Sequence, residues 1–213
     1  TSTRKARMKT PRRGSVAKAC TLVSTPERTR KVPSSDRAKV RMASRMVQLF
    51  RLPRNQTLIR AAEVVQDTVN QYPYRSTRER DCVRVHIQQD FCFQGSRPLF
   101  GQVLSNLIKN ALHSLASASS APSPGDLRVD VGIHHGKGRI AVSDEGVGIP
   151  HDLQQRIFEP FYSTKAVGKG TGQGLAIAHS IVVQKHRGRL WFDSAPGEGT
   201  SFHIELPLQA TSE

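Results

Sequence analysis

The sequence predicts an α/β fold of the α+β kind: a two-layer sandwich whose mixed, mainly antiparallel sheet carries its helices on one face. Three observations predict it. Short apolar runs with strand character outnumber the helical ones. Two pairs of these runs flank the turn segments His134-His135-Gly136-Lys137 and Pro196-Gly197-Glu198-Gly199, as antiparallel hairpins require. The longer stretches carry apolar residues at helical spacing on one side, so each buries a single face.

The elements follow in order. Residues 36–51 read DRAKVRMASRMVQLFR and place Val40, Ala43, Val47 and Phe50 three or four apart, with Met46 and Leu49 widening the stripe. Asp36 suits an N-cap, and Pro53 ends the helix. One amphipathic helix outside a domain needs a partner, so a homodimer through residues 36–52 is expected. Residues 58–69 have helical spacing and stop before Tyr72-Pro73. Residues 83–87 alternate like a strand, and residues 90–93 are expected to pair with them across Gln88-Gln89. A long helix covers 98–115. Two strands, 127–133 and 138–143, form the first hairpin. Residues 173–185 read as a helix, and strands 189–193 and 200–206 close the chain as a second hairpin.

Charge divides the chain. Its 213 residues carry a formal net charge of +15. Residues 1–45 hold fourteen Lys and Arg against Glu27 and Asp36, a net +12, so the rest is nearly balanced. Residues 1–35 are rich in Ser, Pro and like charge, and lack a periodic apolar stripe; they read as a disordered basic tail. The expected organisation is that tail, a helix and linker over 36–55, and a globular domain over 56–213. No aromatic residue is interleaved with the tail's charges for base stacking, so nucleic acid is not the expected partner. Cys20, Cys82 and Cys92 make no disulfide framework and no metal-ligand spacing. No apolar run reaches membrane-spanning length, and a reducing, cytoplasmic setting is expected.

Four segments carry chemistry. In FGQVLSNLIKNALHSL, the residues Gln102, Asn106 and Asn110 recur every four positions with His113 three further on, so they share one side of the helix. Carboxamide oxygens in such a row suit a hard cation. In VSDEGVGIP, Asp144 ends a strand, where its carboxylate can accept from an exocyclic amine, and Gly146 and Gly148 let the backbone approach a ligand. In RIFEPFYSTK, Phe158 and Phe161 anchor a loop whose Ser163, Thr164 and Lys165 can contact phosphate. In GKGTGQGLAIA, the alternating Gly168, Gly170, Gly172 and Gly174 open into an apolar helix and offer an anion nest. That loop lacks the GxxxxGK[ST] pattern, and it does not follow a first strand as a dinucleotide loop does.

Taken together, NLIKNAL, DEGVGIP, IFEPFYSTK and GTGQGLAIA resemble the N, G1, F and G2 boxes of sensor histidine kinases, in their order and within about 70 residues. The resemblance covers residues 56–208, and GRLWFDSAPGEGTSFHIELPL is similar to the closing hairpin of the same domain. It implies the Bergerat fold of the GHKL ATPases and kinases, with ATP and Mg²⁺ bound. By resemblance, Asn110 ligates Mg²⁺ on the ATP phosphates, and Asn106 assists from one turn earlier. Asp144 binds the adenine amino group, with Gly146 and Gly148 shaping its pocket. Lys165 and the backbone of Gly170, Gly172 and Gly174 close over the phosphates within a lid spanning 162–173, which includes Thr171. The remaining nucleotide contacts implied are His113, Ile149, Phe158, Leu175 and Thr200.

Hydrolytic members of the group have a water-activating glutamate where this chain has Asn106. An amide does not take up a proton near neutral pH, so transfer is expected over hydrolysis. None of the eight histidines precedes residue 86, so the phosphoacceptor histidine is expected in trans or on a segment outside this chain. A response regulator is the further partner implied. The alternative is a GHKL protein that binds or hydrolyses ATP without histidine transfer.

Overall fold

The structure is a computed structural model and describes residues 56–162 and 172–209. The expected helix at 36–51 and most of the expected lid lie outside those residues.

A five-stranded sheet runs in the order β2-β4-β5-β7-β6, where β2 is Val83–Ile87, β4 Leu127–His134, β5 Lys137–Asp144, β6 Arg189–Ser194 and β7 Thr200–Leu206. All its pairings are antiparallel except β2 with β4. The two hairpins therefore form as expected, and β5 pairs with β7 to join them. Burial alternates along β5: Ile140, Val142 and Asp144 face inward, while Arg139, Ala141 and Ser143 are partly exposed. The outward face is polar. There the Trp191 ring lies between the Arg139 and Arg189 guanidinium groups, 5.4 and 5.5 Å from its centroid, and beside His203.

The helices cover the apolar face. α1 is Ala61–Gln71 and α3 is Arg97–Ala116. α3 is the spine: Phe100, Val103, Leu104, Leu107, Ile108, Ala111, Leu112 and Leu115 are buried along it. They meet Leu127, Ile140, Ile204 and Leu206 of the sheet in one core. A helix this long with one apolar stripe needs that sheet to cover it.

Three expectations change. Residues 57–60 are not helical; Thr57–Arg60 forms β1, antiparallel to β3 (Cys92–Gly95), and α1 starts only at Ala61. The reason is local alternation: Ile59 is buried while Leu58 points outward, which a strand edge satisfies. For the same reason residues 90–93 do not pair with β2. Asp90 instead accepts from the Ala62 and Phe91 amides and bonds Arg60, turning the chain toward β1. β2 finds its partner 44 residues on, with Val83 opposite Leu127. The helix at 173–185 is α-helical over Gly174–Ser180 (α5) and widens to a π-helix over Ile181–Lys185. His186 explains the widening. Its Nδ1–H donates to the Ile181 carbonyl at 3.0 Å, and its Nε2 accepts from the Ser96 amide at 3.2 Å. The ring is buried between Phe93 and Phe100, in a slot that any side chain on Gly95 would fill.

Two short helices complete the order. Thr77–Asp81 is α2, capped by Ser76 Oγ accepting from the Glu79 amide while Glu79 accepts from the Arg75 amide. His151–Gln154 is α4.

Candidate functional site

The site forms where α3, the end of β5 and the start of α5 meet. On α3 the four-residue spacing of Asn106 and Asn110 puts both half-buried on one side, and that row continues to Ser114. His113, one position earlier, is exposed at the edge of the row. Asn106 reaches across to α5: its Nδ2 donates to the Gly174 carbonyl at 3.2 Å. The side-chain oxygen of Asn106 stays outside that bond, and Leu175 follows, half-buried.

Asp144 ends β5 at 6 % exposure. Its Oδ1 accepts from the Gly146 amide at 3.0 Å. Burial pushes the carboxyl up to about 6; the Ser114 hydroxyl and the Gly146 amide oppose that shift. Among the described residues no cation stands against it, so a ligand that supplies a further donor would lower the cost of burying the charge.

The loop after Asp144 is stapled to the β6–β7 turn. The Ile149 amide donates to Ser194 Oγ at 2.9 Å, and Ser194 Oγ also bonds Thr200 Oγ1 at 2.9 Å and the Gly199 carbonyl at 2.8 Å. Gly148, at φ +67, lies so close to the Ala195 carbonyl that a Cβ would overlap it. Thr200 stands opposite Asp144 in the β5–β7 register. Phe158 packs on Phe192 and His179, with centroids 5.9 and 5.0 Å apart. The two chain ends flanking the glycine-rich stretch meet: the Phe161 amide donates to the Gly172 carbonyl at 3.0 Å, and both residues have left-handed backbone. Gly172 is required there, because a Cβ would strike the Phe161 and Tyr162 backbone.

The structure thus brings Asn106, Asn110, Asp144, Gly146, Gly174 and Leu175 to one site, with Gly148, Ile149 and Thr200 at the wall behind Asp144. Lys165, Gly170 and Thr171 lie outside the described residues. Three contributors were not singled out from the sequence. Ser114 extends the row of 102, 106 and 110 by one more step of four, and that spacing was its signal. Ser194 and Gly199 had no local signal, since their roles depend on a strand pairing.

The donor set fits a nucleotide and its metal. Neutral carboxamide oxygens beside an opening suit a magnesium ion that keeps most of its ligands from phosphate and water. Among the described residues no group of three or more His, Cys, Asp or Glu could hold a metal ion by itself. Asp144, recessed and with no cation against it among the described residues, fits a purine amino group.

Comparison with known proteins identifies the family. Residues 95–210 match the family described as histidine kinase-, DNA gyrase B-, and HSP90-like ATPase. Sporulation kinase E of Bacillus subtilis (strain 168) is 35% identical over 113 residues, covering 53% of this chain and 14% of that kinase. Sporulation kinase A of the same organism is 34% identical over 142 residues, covering 67% of this chain and 21% of that kinase. The chain therefore spans about a fifth or less of these relatives. The solved catalytic domain of histidine kinase ThkA superposes with a TM-score of 0.60 at 25% identity, covering 72% of this chain and 95% of that domain. The chain belongs to the histidine kinase-, DNA gyrase B- and HSP90-like ATPase family, as a catalytic ATP-binding domain of the sensor histidine kinase type.

Proposed function

We propose that this domain binds ATP with Mg²⁺ and passes the γ-phosphoryl group to a histidine of a partner segment, as the donor stage of a two-component relay. The observation that carries the reading is the buried Asp144 beside Ser114, the next four-residue step of the Asn106–Asn110 row on α3. Asp144 accepts the adenine amino group. Asn110 offers its oxygen to Mg²⁺, which when bound neutralises phosphate charge. Lys165 and the backbone from Gly170 to Gly174 cover the phosphates. In phosphoryl transfer most of the protein's work is positioning and charge stabilisation, which these residue types supply.

Asn106 favours transfer over hydrolysis. Its amide nitrogen is committed to the Gly174 carbonyl, and its oxygen is no base near neutral pH. Water is left unactivated there, and the acceptor imidazole attacks with its own lone pair. A P–N bond forms as the bond to the ADP oxygen breaks. The acceptor histidine, a response regulator, and a homodimer through 36–52 are the partners this reading requires, on the cytoplasmic side where ATP is supplied.

The test is incubation with labelled ATP, Mg²⁺ and a candidate helical-hairpin acceptor domain. An acid-labile, base-stable phosphoprotein is expected, and Asn110→Ala, Asp144→Ala and Gly172→Ala should each abolish the label. Steady phosphate release with no labelled acceptor would favour the ATP-hydrolysing alternative. Tight ATP binding by Asp144→Ala would remove the adenine assignment.

A further inference from the structure

Two hydroxyls on or at the end of helices show a common use of such a group, and Ser114 departs from it. Thr68 Oγ1 donates to the Val64 carbonyl at 2.7 Å, and Ser117 Oγ to the His113 carbonyl at 2.9 Å, each one turn back. Ser114 does not. Its Oγ is buried and, among the described residues, makes no such bond to the Asn110 carbonyl.

What the hydroxyl faces is the Asp144 site. A Cβ added to Gly146 would overlap Ser114 Oγ, and would also crowd Asp144 Oδ1 at 2.8 Å. Ser114 Oγ, the Gly146 backbone and the Asp144 carboxyl therefore converge within one side chain's width. Gly146 is bare so that they can. Ser114 also lies one further four-residue step along α3 from Asn106 and Asn110, so helix geometry aims it at the same opening.

We propose that Ser114 is a positioning residue for purine recognition: its hydroxyl holds the Asp144 carboxylate ionised and turned toward the amino group of the base. The inference rests on the adenine role given above to Asp144. One carboxylate oxygen is held by the Gly146 amide. Ser114 supplies a second donor on the α3 side, leaving an acceptor lone pair for the ligand. Burial works against the charge, and the Ser114 hydroxyl and Gly146 amide are the groups that oppose it. Among the described residues, the neighbouring strands place uncharged side chains opposite Asp144, Leu127 from β4 and Thr200 from β7. From β7 come Gly199 and Thr200, whose hydroxyl is bonded to Ser194. Glu145, next in the chain, is exposed and pairs with Arg128 at 3.5 Å.

The experiment compares wild type, Ser114→Ala, Ser114→Cys and Asp144→Asn, all in the full chain. Carboxyl ¹³C NMR follows the Asp144 titration, and calorimetry gives Mg·ATP affinity at pH 6.5 and 8.5. In Ser114→Ala the Asp144 midpoint should rise by about half to one pH unit. Its affinity loss relative to wild type should then be about 1.5- to threefold greater at pH 6.5 than at pH 8.5. Ser114→Cys, which fills the space with a weak donor, should behave like Ala. Three results overturn the proposal: an unmoved midpoint, an equal loss at both pH values, or rescue by Cys, which would mean packing alone. Asp144→Asn separates the two readings. If it binds ATP as wild type does, the adenine assignment falls and takes this proposal with it. If it binds at least tenfold more weakly while Ser114→Ala is silent, only the Ser114 role fails.

Discussion

Replacing Asp144 with Asn should make the domain more stable and less able to bind nucleotide. The carboxyl is pushed up from 3.8 to about 6 by burial. Because the folded value lies above the unfolded one, the folded state holds the proton more tightly. Stability therefore falls as the pH rises from about 4 through about 6, and the cost is fully present above that. A rise of two units corresponds to about 3 kcal/mol. The group is 6 % exposed, so little of this is lost to solvent screening, though relaxation around a charge trims it. Asp144→Asn should gain about 1–3 kcal/mol at pH 8, a rise in Tm of roughly 3–10 °C for a domain of this size. At pH 4.5, where the wild-type carboxyl is mostly protonated in the folded state, most of the gain should vanish. Urea denaturation at the two pH values measures it, with calorimetry of Mg·ATP on the same samples. Charge-assisted hydrogen bonds are worth about 1.5–3 kcal/mol, so affinity should fall at least tenfold. A variant no more stable than wild type at pH 8, or a gain unchanged at pH 4.5, would refute the claim that an uncompensated buried carboxylate sits at the end of β5.

Other perturbations test neighbouring parts of the fold. Gly148→Ala forces a Cβ onto the Ala195 carbonyl at φ +67, and should cost about 2 kcal/mol or more in urea denaturation together with ATP affinity. His186 is held neutral, its value lowered by burial despite its bonds to Ile181 and Ser96. A lowered histidine contributes stability that is lost as the pH falls below the usual 6.5, opposite in sign to Asp144. His186→Gln should therefore remove that acid-side loss, while costing about 1–3 kcal/mol at pH 8 for the vacated slot between Phe93 and Phe100. Ser76→Ala deletes the α2 cap and should cost about 1 kcal/mol with ATP affinity unchanged, since α2 is remote from the site residues in its contacts. Asn106→Ala breaks the bond to Gly174 and should lower Mg·ATP affinity several-fold in calorimetry.

The capping signature at Ser76 and Glu79 was present in the sequence as S-x-x-E, yet the short helix it starts went unread because no apolar stripe follows it. The hairpins around 134–137 and 196–199 were legible because turn chemistry and alternation are both local. The row of Asn106 and Asn110 was legible for the same reason: helix geometry alone sets which side they share. The β1 strand was misread because Leu58-Ile59 and the apolar start of α1 run together, and a four-residue strand is too short to show its period.

By itself the sequence determined the long α3 helix with its polar row and the two hairpins. Each rests on interactions between residues a few positions apart, where spacing decides geometry. Tertiary structure alone decided that β2 lies parallel to β4, that residues 90–95 leave β2 for β1, and that Ser194 ties Ile149 to Thr200. It also decided that Ser114 faces the Asp144 carboxyl. A periodic pattern reports which face of an element is buried, but the partner that buries it is chosen by packing between segments far apart in the chain.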